Sequence, residues 1–396
     1  MLQKKILLPT IVFAQFCGTS LWFAGNSVIE DLSRTFHLQQ EDIGHLTSAV
    51  QLGFIVGTLI FALLSIADRF HASKVFFFCA LVGSIFNLGI TLEQNTLSSI
   101  LALRFASGFF LAGIYPVGMK IAADHYQKGL GKSLGFLVGA LVLGTAFPHL
   151  LKSIPYQIDW TYIFITTSTL ASLGGLLIFL LVPEGPFKKK GSSLQLSAFL
   201  TVFKENDFRA AAFGYFGHMW ELYTFWAFVP FILKYYAKIH NTQTLNISLL
   251  SFLIIGIGGI ACILGGYISS SLGTKKTAFL ALLLSCTCCF SLPFMIQTET
   301  EFIFLTFLFI WGMVVIADSP LFSTLVAQTA DQSLKGTALT IVNCIGFTIT
   351  IFSIQLTSHL WENTNSIFIF SLLGIGPILG LIALGLKSNS QKSLTP

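Results

Sequence analysis

The chain alternates long apolar runs with short polar gaps. Twelve runs stand out, at approximately 6–29, 43–66, 75–92, 97–121, 133–151, 160–182, 210–233, 247–269, 277–296, 302–327, 337–358 and 366–386. A hydrocarbon core of about 30 Å takes roughly 20 residues of helix to cross, and each run approaches that length. The runs are apolar all round rather than striped, which marks helices surrounded by lipid or by one another. No soluble domain of 396 residues buries twelve of them. The pattern predicts an all-α integral membrane fold with twelve transmembrane helices.

The gaps carry nearly all the charge, and unevenly. Of 22 Lys and Arg, 17 fall in one alternate set of gaps and four in the other, with Arg104 alone inside a run. The Lys-poor gaps instead hold Glu30, Asp31, Glu41, Asp42, Glu93, Asp159, Glu299, Glu301 and Glu362. The positive-inside rule then predicts both termini in the cytoplasm. It also accounts for the +5 net charge without a nucleic-acid partner. Lys4 and Lys5 ahead of an apolar run suggest a signal peptide. The run is too long for an h-region and no small-x-small cleavage site follows, so it reads as the first span. Composition agrees: 54% hydrophobic, 10% charged, mean hydropathy +0.80, with 40 Phe and 34 Gly for lipid contact and close helix packing. The seven Cys all lie in apolar runs, an odd number that makes no disulfide framework. Cys286, Cys288 and Cys289 read as small hydrophobes rather than a metal site, and no cofactor is expected.

The longest polar gap, 183–208, holds Pro, Gly, a Lys run and Ser. It reads as a cytoplasmic linker between an N-terminal bundle (1–182) and a C-terminal bundle (209–396), each of six helices. Leu194–Phe203 could lie on the membrane surface as a short amphipathic helix. The two halves repeat. Asp68 and Lys74 fall on Ser270 and Lys276 at an offset of 202; Gly108 and Pro116 fall on Gly312 and Pro320 at 204. Paired bundles suit a site at their shared interface that opens to one side and then the other.

The segment Leu64–Lys74, with Ala67, Asp68, Arg69 and Lys74, is similar to the G-x-L-A-D-R-x-G-R-K loop of the major facilitator superfamily of secondary transporters. Leu64, His71 and Ala72 depart from that pattern. The second-half copy keeps Gly266 and Gly273 but has Ser270-Ser271 for Asp-Arg. Arg104 and Gly108 fit the family's R-x-x-x-G in helix four. With the twelve-helix layout, the resemblance covers the whole chain. It implies a two-bundle fold, helices one, four, seven and ten around a central cavity, and a conformational switch at Asp68, Arg69, Lys74, Gly266 and Gly273. Subfamily marks are weaker. The antiporter G-x-x-x-G-P is met by Gly135 and Gly139, but Ala140 stands for Pro. The arginines of the nitrate branch are absent from helices two and eight.

Ionisable groups inside a membrane are functional candidates by default. Three fall on the implied cavity helices: Arg104, Glu221 and Asp318. Arg104 lies about 10 Å from the outer surface at about 1.5 Å per residue. Glu221 falls near mid-membrane and Asp318 nearer the cytoplasm, so Glu221 is the expected partner of Arg104 or of a cationic solute. His218 and Glu221 are three apart and share a helix face, an arrangement that can relay protons. Expected cavity residues are Gln15, Thr19, Trp22, Gln51, Tyr115, Trp220, Tyr223, Trp226 and Trp311, polar groups and aromatics that could hold a flat solute or a cation. Asn26, like Gln15, Thr19 and Gln51, is a polar group that needs a partner in the core, and Asn343 and Gln355 are weaker candidates.

No HExxH or P-loop string occurs, and the GxSxG at 131–135 and CxxC at 286–289 border or lie in apolar runs, so neither an enzyme nor an ATP-driven pump is expected. The reading is a secondary transporter of a small organic solute, working by alternating access and coupled to protons, with uptake favoured because the antiporter Pro is missing. The alternatives are a drug, metabolite or siderophore-like proton antiporter working outward, and a non-transporting sensor on the same scaffold. A small-molecule substrate, protons and the bilayer are the expected partners of a monomer in a bacterial inner membrane.

Overall fold

The computed structural model describes residues 2–38, 42–126, 130–154, 159–188, 202–242, 245–331 and 334–385. Half of the expected linker (189–201), and most of the amphipathic helix expected at 194–203, lie outside the described residues. Among those described, the chain is helical throughout, without strands. In order run α1 (Leu2–Thr19), α2 (Asp42–Leu63), α3 (Ala72–Gly89), α4 (Leu97–Leu111, resumed at Tyr115–His125), α5 (Leu130–Lys152) and α6 (Thr161–Leu181). Then come α7 (Asn206–Ile239), α8 (Ile247–Leu272), α9 (Thr274–Met295), α10 (Glu301–Ala317, resumed at Ser319–Thr329), α11 (Lys335–Thr364) and α12 (Ile367–Gly374 as a 3-10 helix, then Ile375–Gly385). Ten are long and apolar enough to cross a membrane. The other two are α1, whose apolar part is short (Ile6–Thr19), and α7, whose 34 residues are diluted by groups such as His218 and Glu221. Large apolar side chains such as Phe78, Ile85, Phe302 and Phe352 stand exposed on the outside, a surface suited to lipid.

The internal repeat survives in three dimensions. Gly108 on α4 abuts the Val50 carbonyl of α2, where an added Cβ would lie 2.1 Å from the oxygen. Gly312 on α10 abuts the Ile254 carbonyl of α8, again at 2.1 Å. Both residues of the pair recur at the same offset of 204. The same offset places the interruption of α4 ahead of Pro116 and that of α10 ahead of Pro320. Proline lacks the N–H that a continuous helix needs, and its ring clashes with the carbonyl four residues back. Gly108→Ala is therefore expected to lower stability by about 1–3 kcal/mol, because backbone cannot move aside as a side chain can. Gly135→Ala, with nothing within 4 Å, is the silent control. Thermal unfolding in detergent reads both.

The first run differs from expectation. It breaks after Thr19 and resumes as Ala24–Ser27 and Ile29–Phe36. No proline marks the break; a side chain from α4 bonds the carbonyls it frees, as described below.

The two ends of the bundle differ. At one end, which bears the basic loops, a cavity of about 180 Å³ separates Thr58, Asp68 and Lys120 of the first half from Gly336, Thr337 and Thr340 of α11. At the opposite end the halves are joined. Lys234 bonds Glu30, Asn246 Nδ2 donates to the Ser153 carbonyl at 3.2 Å, and Gln355 Nε2 donates to Ser48 Oγ at 2.8 Å. Beside this closure, Asp159 accepts the Thr161 N–H at 2.8 Å. That bond, just ahead of α6, holds the Asp159 carboxyl below the usual carboxylate range. Glu30→Gln is expected to release the latch in part and favour closure of the basic end. Labelling of Gly336→Cys by a water-soluble maleimide should then fall by up to about fivefold, since an exposed ion pair is worth up to about 1 kcal/mol. The native cysteines are all buried and give little background.

Candidate functional site

Arg104 is 1% exposed and lies against the broken stretch of the first run. Its Nη1 donates to the Leu21 carbonyl at 3.1 Å and to Asn87 Oδ1 at 3.4 Å; its Nη2 donates to the Trp22 carbonyl. A helix that stops leaves carbonyls without partners, and inside a membrane those must be met by protein. Arg104 meets two of them. Asn87, on α3, also donates to Ser168 Oγ at 2.9 Å and Thr167 Oγ1 at 3.2 Å on α6. The guanidinium thus sits in a polar net within the first half. The expected pairing with Glu221 is not made: among the described residues Arg104 forms no ion pair.

Glu221 is equally buried and faces the interior of the second half. Its Oε1 accepts from Trp311 Nε1 of α10 at 2.6 Å and from the Ser285 hydroxyl of α9. Both donors are neutral. His218 does share the Glu221 face of α7, but its partner is Asp318: Nδ1 lies 2.8 Å from Oδ1. Asp318 sits at the interruption of α10, where the helix gap makes room for it. The relay expected between His218 and Glu221 is therefore two separate centres, His218–Asp318 and Glu221–Ser285–Trp311. Next to the first, Tyr215 OH donates to Asn343 Oδ1 of α11 at 2.8 Å.

The expected cavity residues divide. Gln15 and Thr19 turn into the first half. The Gln15 amide lies against Gly118 of α4, and Thr19 Oγ1 donates to the Gln15 carbonyl at 2.8 Å beside Gly144 of α5. Trp220 turns outward, its Nε1 donating to the Leu372 carbonyl of α12 at 3.1 Å. Tyr115 is half-buried at the resumption of α4. Trp311 is taken up by Glu221. Trp22, Tyr223 and Trp226 do come together, and they do so between the halves. Trp22 stacks on Tyr223 and on Phe347 of α11, each at 5.7 Å between centroids, and touches Phe54 of α2 at 4.8 Å. Trp226 meets Tyr223 edge-on at 5.2 Å. Gln51, fully buried, is one turn from Phe54 on the same face of α2.

The implied switch residues lie at the basic end. Asp68 pairs with Lys120 of α4 at 3.1 Å, and Lys120 also holds Asp124 at 2.9 Å. These ion pairs stay inside the first half. Arg69 and Lys74 are exposed. Gly266 has open space around it, and Gly273 ends α8 with φ of 87°, a conformation that disfavours any side chain.

Sequence reasoning missed Asn87, Ser285, Phe54 and Phe347. Asn87 lies mid-run and could have been found by the rule that flagged Arg104. Ser285, Phe54 and Phe347 carry no local signal, since Ser and Phe are ordinary in membrane helices.

The family model described as Major Facilitator Superfamily matches residues 11–354. A "Bicyclomycin resistance protein homolog" of Haemophilus influenzae is 24% identical over 187 residues, covering 45% of this chain and 45% of that one. The match thus spans less than half of that relative. Solved structures of a bacterial homolog of the human lysosomal transporter Spinster share the fold. The inward-facing, occupied form has a TM-score of 0.72 at 13% identity, covering 97% of this chain and 96% of that one. The unoccupied form has a TM-score of 0.68 at 13% identity, covering 96% and 95%. The chain belongs to the Major Facilitator Superfamily, and is a membrane transporter rather than an enzyme.

Proposed function

We propose that the protein is a secondary active transporter of a small organic solute, in which rocking of the two halves is coupled to protons through Glu221, with His218–Asp318 as a second proton-bearing centre. One observation carries this reading. Glu221 is fully buried with only neutral donors around it. An unpaired charge there costs several kcal/mol. Loss of its proton is therefore tied to movements that admit water, which is what coupling requires. The cavity at the basic end and the joined opposite end support an inward-facing state, with the basic end taken as cytoplasmic in a bacterial inner membrane.

Two directions of transport follow from different observations. The missing Pro after Gly139 favours uptake with protons. The match to a relative named for drug resistance favours export in exchange for protons. Reconstituted liposomes with an imposed pH step separate them: symport accumulates solute on the alkaline side, antiport on the acidic side. A solute that crosses at a rate indifferent to the pH step would end the coupling reading.

A further inference from the structure

We infer that the aromatic seam between the halves is the cargo site, and that it takes a planar, uncharged aromatic solute bearing a hydrogen-bond acceptor. This deepens the transport reading and rests on it.

The seam is built from both bundles. Trp22 and Phe54 come from the first half, Tyr223, Trp226 and Phe347 from the second, with Trp22 lying flat against two partner rings. Rings joined only by such stacking part when the halves move and accept another flat ring in exchange, at little cost. A packing role alone would be served by phenylalanine. Instead the indole N–H groups of Trp22 and Trp226, and both ends of the Gln51 amide, are buried without a hydrogen-bond partner. Unmet polar groups inside protein are costly, and a guest that satisfies them gains what the empty protein forfeits. Two of these groups are pure donors, so the guest presents an acceptor.

Charge is directed away from the seam. Glu221 and Tyr223 are two residues apart, about 200° around a helix, so the carboxylate points into the second half while the ring points to the first. Arg104 lies behind Trp22, with both terminal nitrogens donating to backbone carbonyls and Asn87. It repels a cation and has no free fork to offer an anion. Rings without a facing carboxylate and with a guanidinium behind them suit a neutral guest.

Isothermal titration of the full-length purified protein tests the class with four probes. Coumarin is neutral, planar and an acceptor; N-methylquinolinium is a cation of similar size; naphthoate is an anion; caprolactone is neutral but not aromatic. Coumarin is expected to bind at least tenfold more tightly than the other three. Trp22→Phe, which keeps the ring and removes the N–H, is expected to weaken coumarin by about tenfold. Trp226→Phe takes its place if that variant fails to fold. Equal or tighter binding of either ion, no binding of coumarin, or unchanged affinity in both variants would overturn the proposal. Liposome flux separates the two readings. Coumarin bound with this selectivity but never moved would sink transport and leave the site. A charged solute carried by a protein that ignores coumarin would sink the site and leave transport.

Discussion

Arg104→Met is expected to abolish accumulation of folded protein, or to lower its stability by about 2–6 kcal/mol, since each buried carbonyl left without a donor costs about 1–3 kcal/mol. Methionine matches much of the arginine's volume but donates nothing. The Leu21 and Trp22 carbonyls, freed by the break after Thr19, would then face an apolar interior. Asn87 would lose one of its contacts as well. Water cannot reach the site, since Arg104 is 1% exposed. Arg104→Lys tests the geometry: an ammonium is charged but lacks the planar fork that spans two carbonyls, so it should recover only part of the loss. Monodispersity on gel filtration and the midpoint of denaturation are the readouts. A fully stable Arg104→Met protein would mean that the break in the first run is held by something else.

Glu221→Gln is expected to leave the fold intact and remove coupling. The glutamine carbonyl still accepts from Trp311 and Ser285, so stability should change by no more than about 1 kcal/mol. The amide cannot release a proton. One proton moving down a pH step of one unit sustains about a tenfold solute gradient. In the variant that gradient should collapse to about unity, while exchange of labelled for unlabelled solute continues. Asp318→Asn probes the second centre. It removes the carboxylate 2.8 Å from His218 Nδ1 but leaves Glu221 in place. If Glu221→Gln still accumulates solute and Asp318→Asn does not, the coupling belongs to the His218–Asp318 pair.

The fold was legible because lipid imposes a length and a polarity on every span. Those constraints act residue by residue and need no knowledge of neighbours. The repeat was legible for a similar reason. Gly108 and Gly312 face backbone carbonyls, so their identity is dictated locally and recurs in both halves. The buried charges were also found, because any ionised group in such surroundings needs an explanation. Their partners were not. Depth along separate helices suggested that Arg104 meets Glu221, but depth carries no rotation. Rotation about α7 sends Glu221 toward α9 and α10, and the break in the first run gives Arg104 closer acceptors. Nothing in the first run announces that break. The cavity list failed in the same way. Trp220 and Trp226 look alike in sequence, yet one bonds α12 and the other joins the seam. Six residues apart, they face about 240° away from each other, and which of them meets the other half depends on the rotation of α7 about its axis, which an all-round apolar sequence does not record.

The bridge between Glu30 and Lys234 is about half exposed on both sides. An ion pair bathed in solvent weakens as salt shortens the screening length, from about 10 Å at 0.1 M to about 3 Å at 1 M. A catch of that kind gives way at every turnover without becoming the slow step. Turnover in brine should therefore differ little from turnover in dilute buffer, while the resting balance between the two facings drifts with ionic strength.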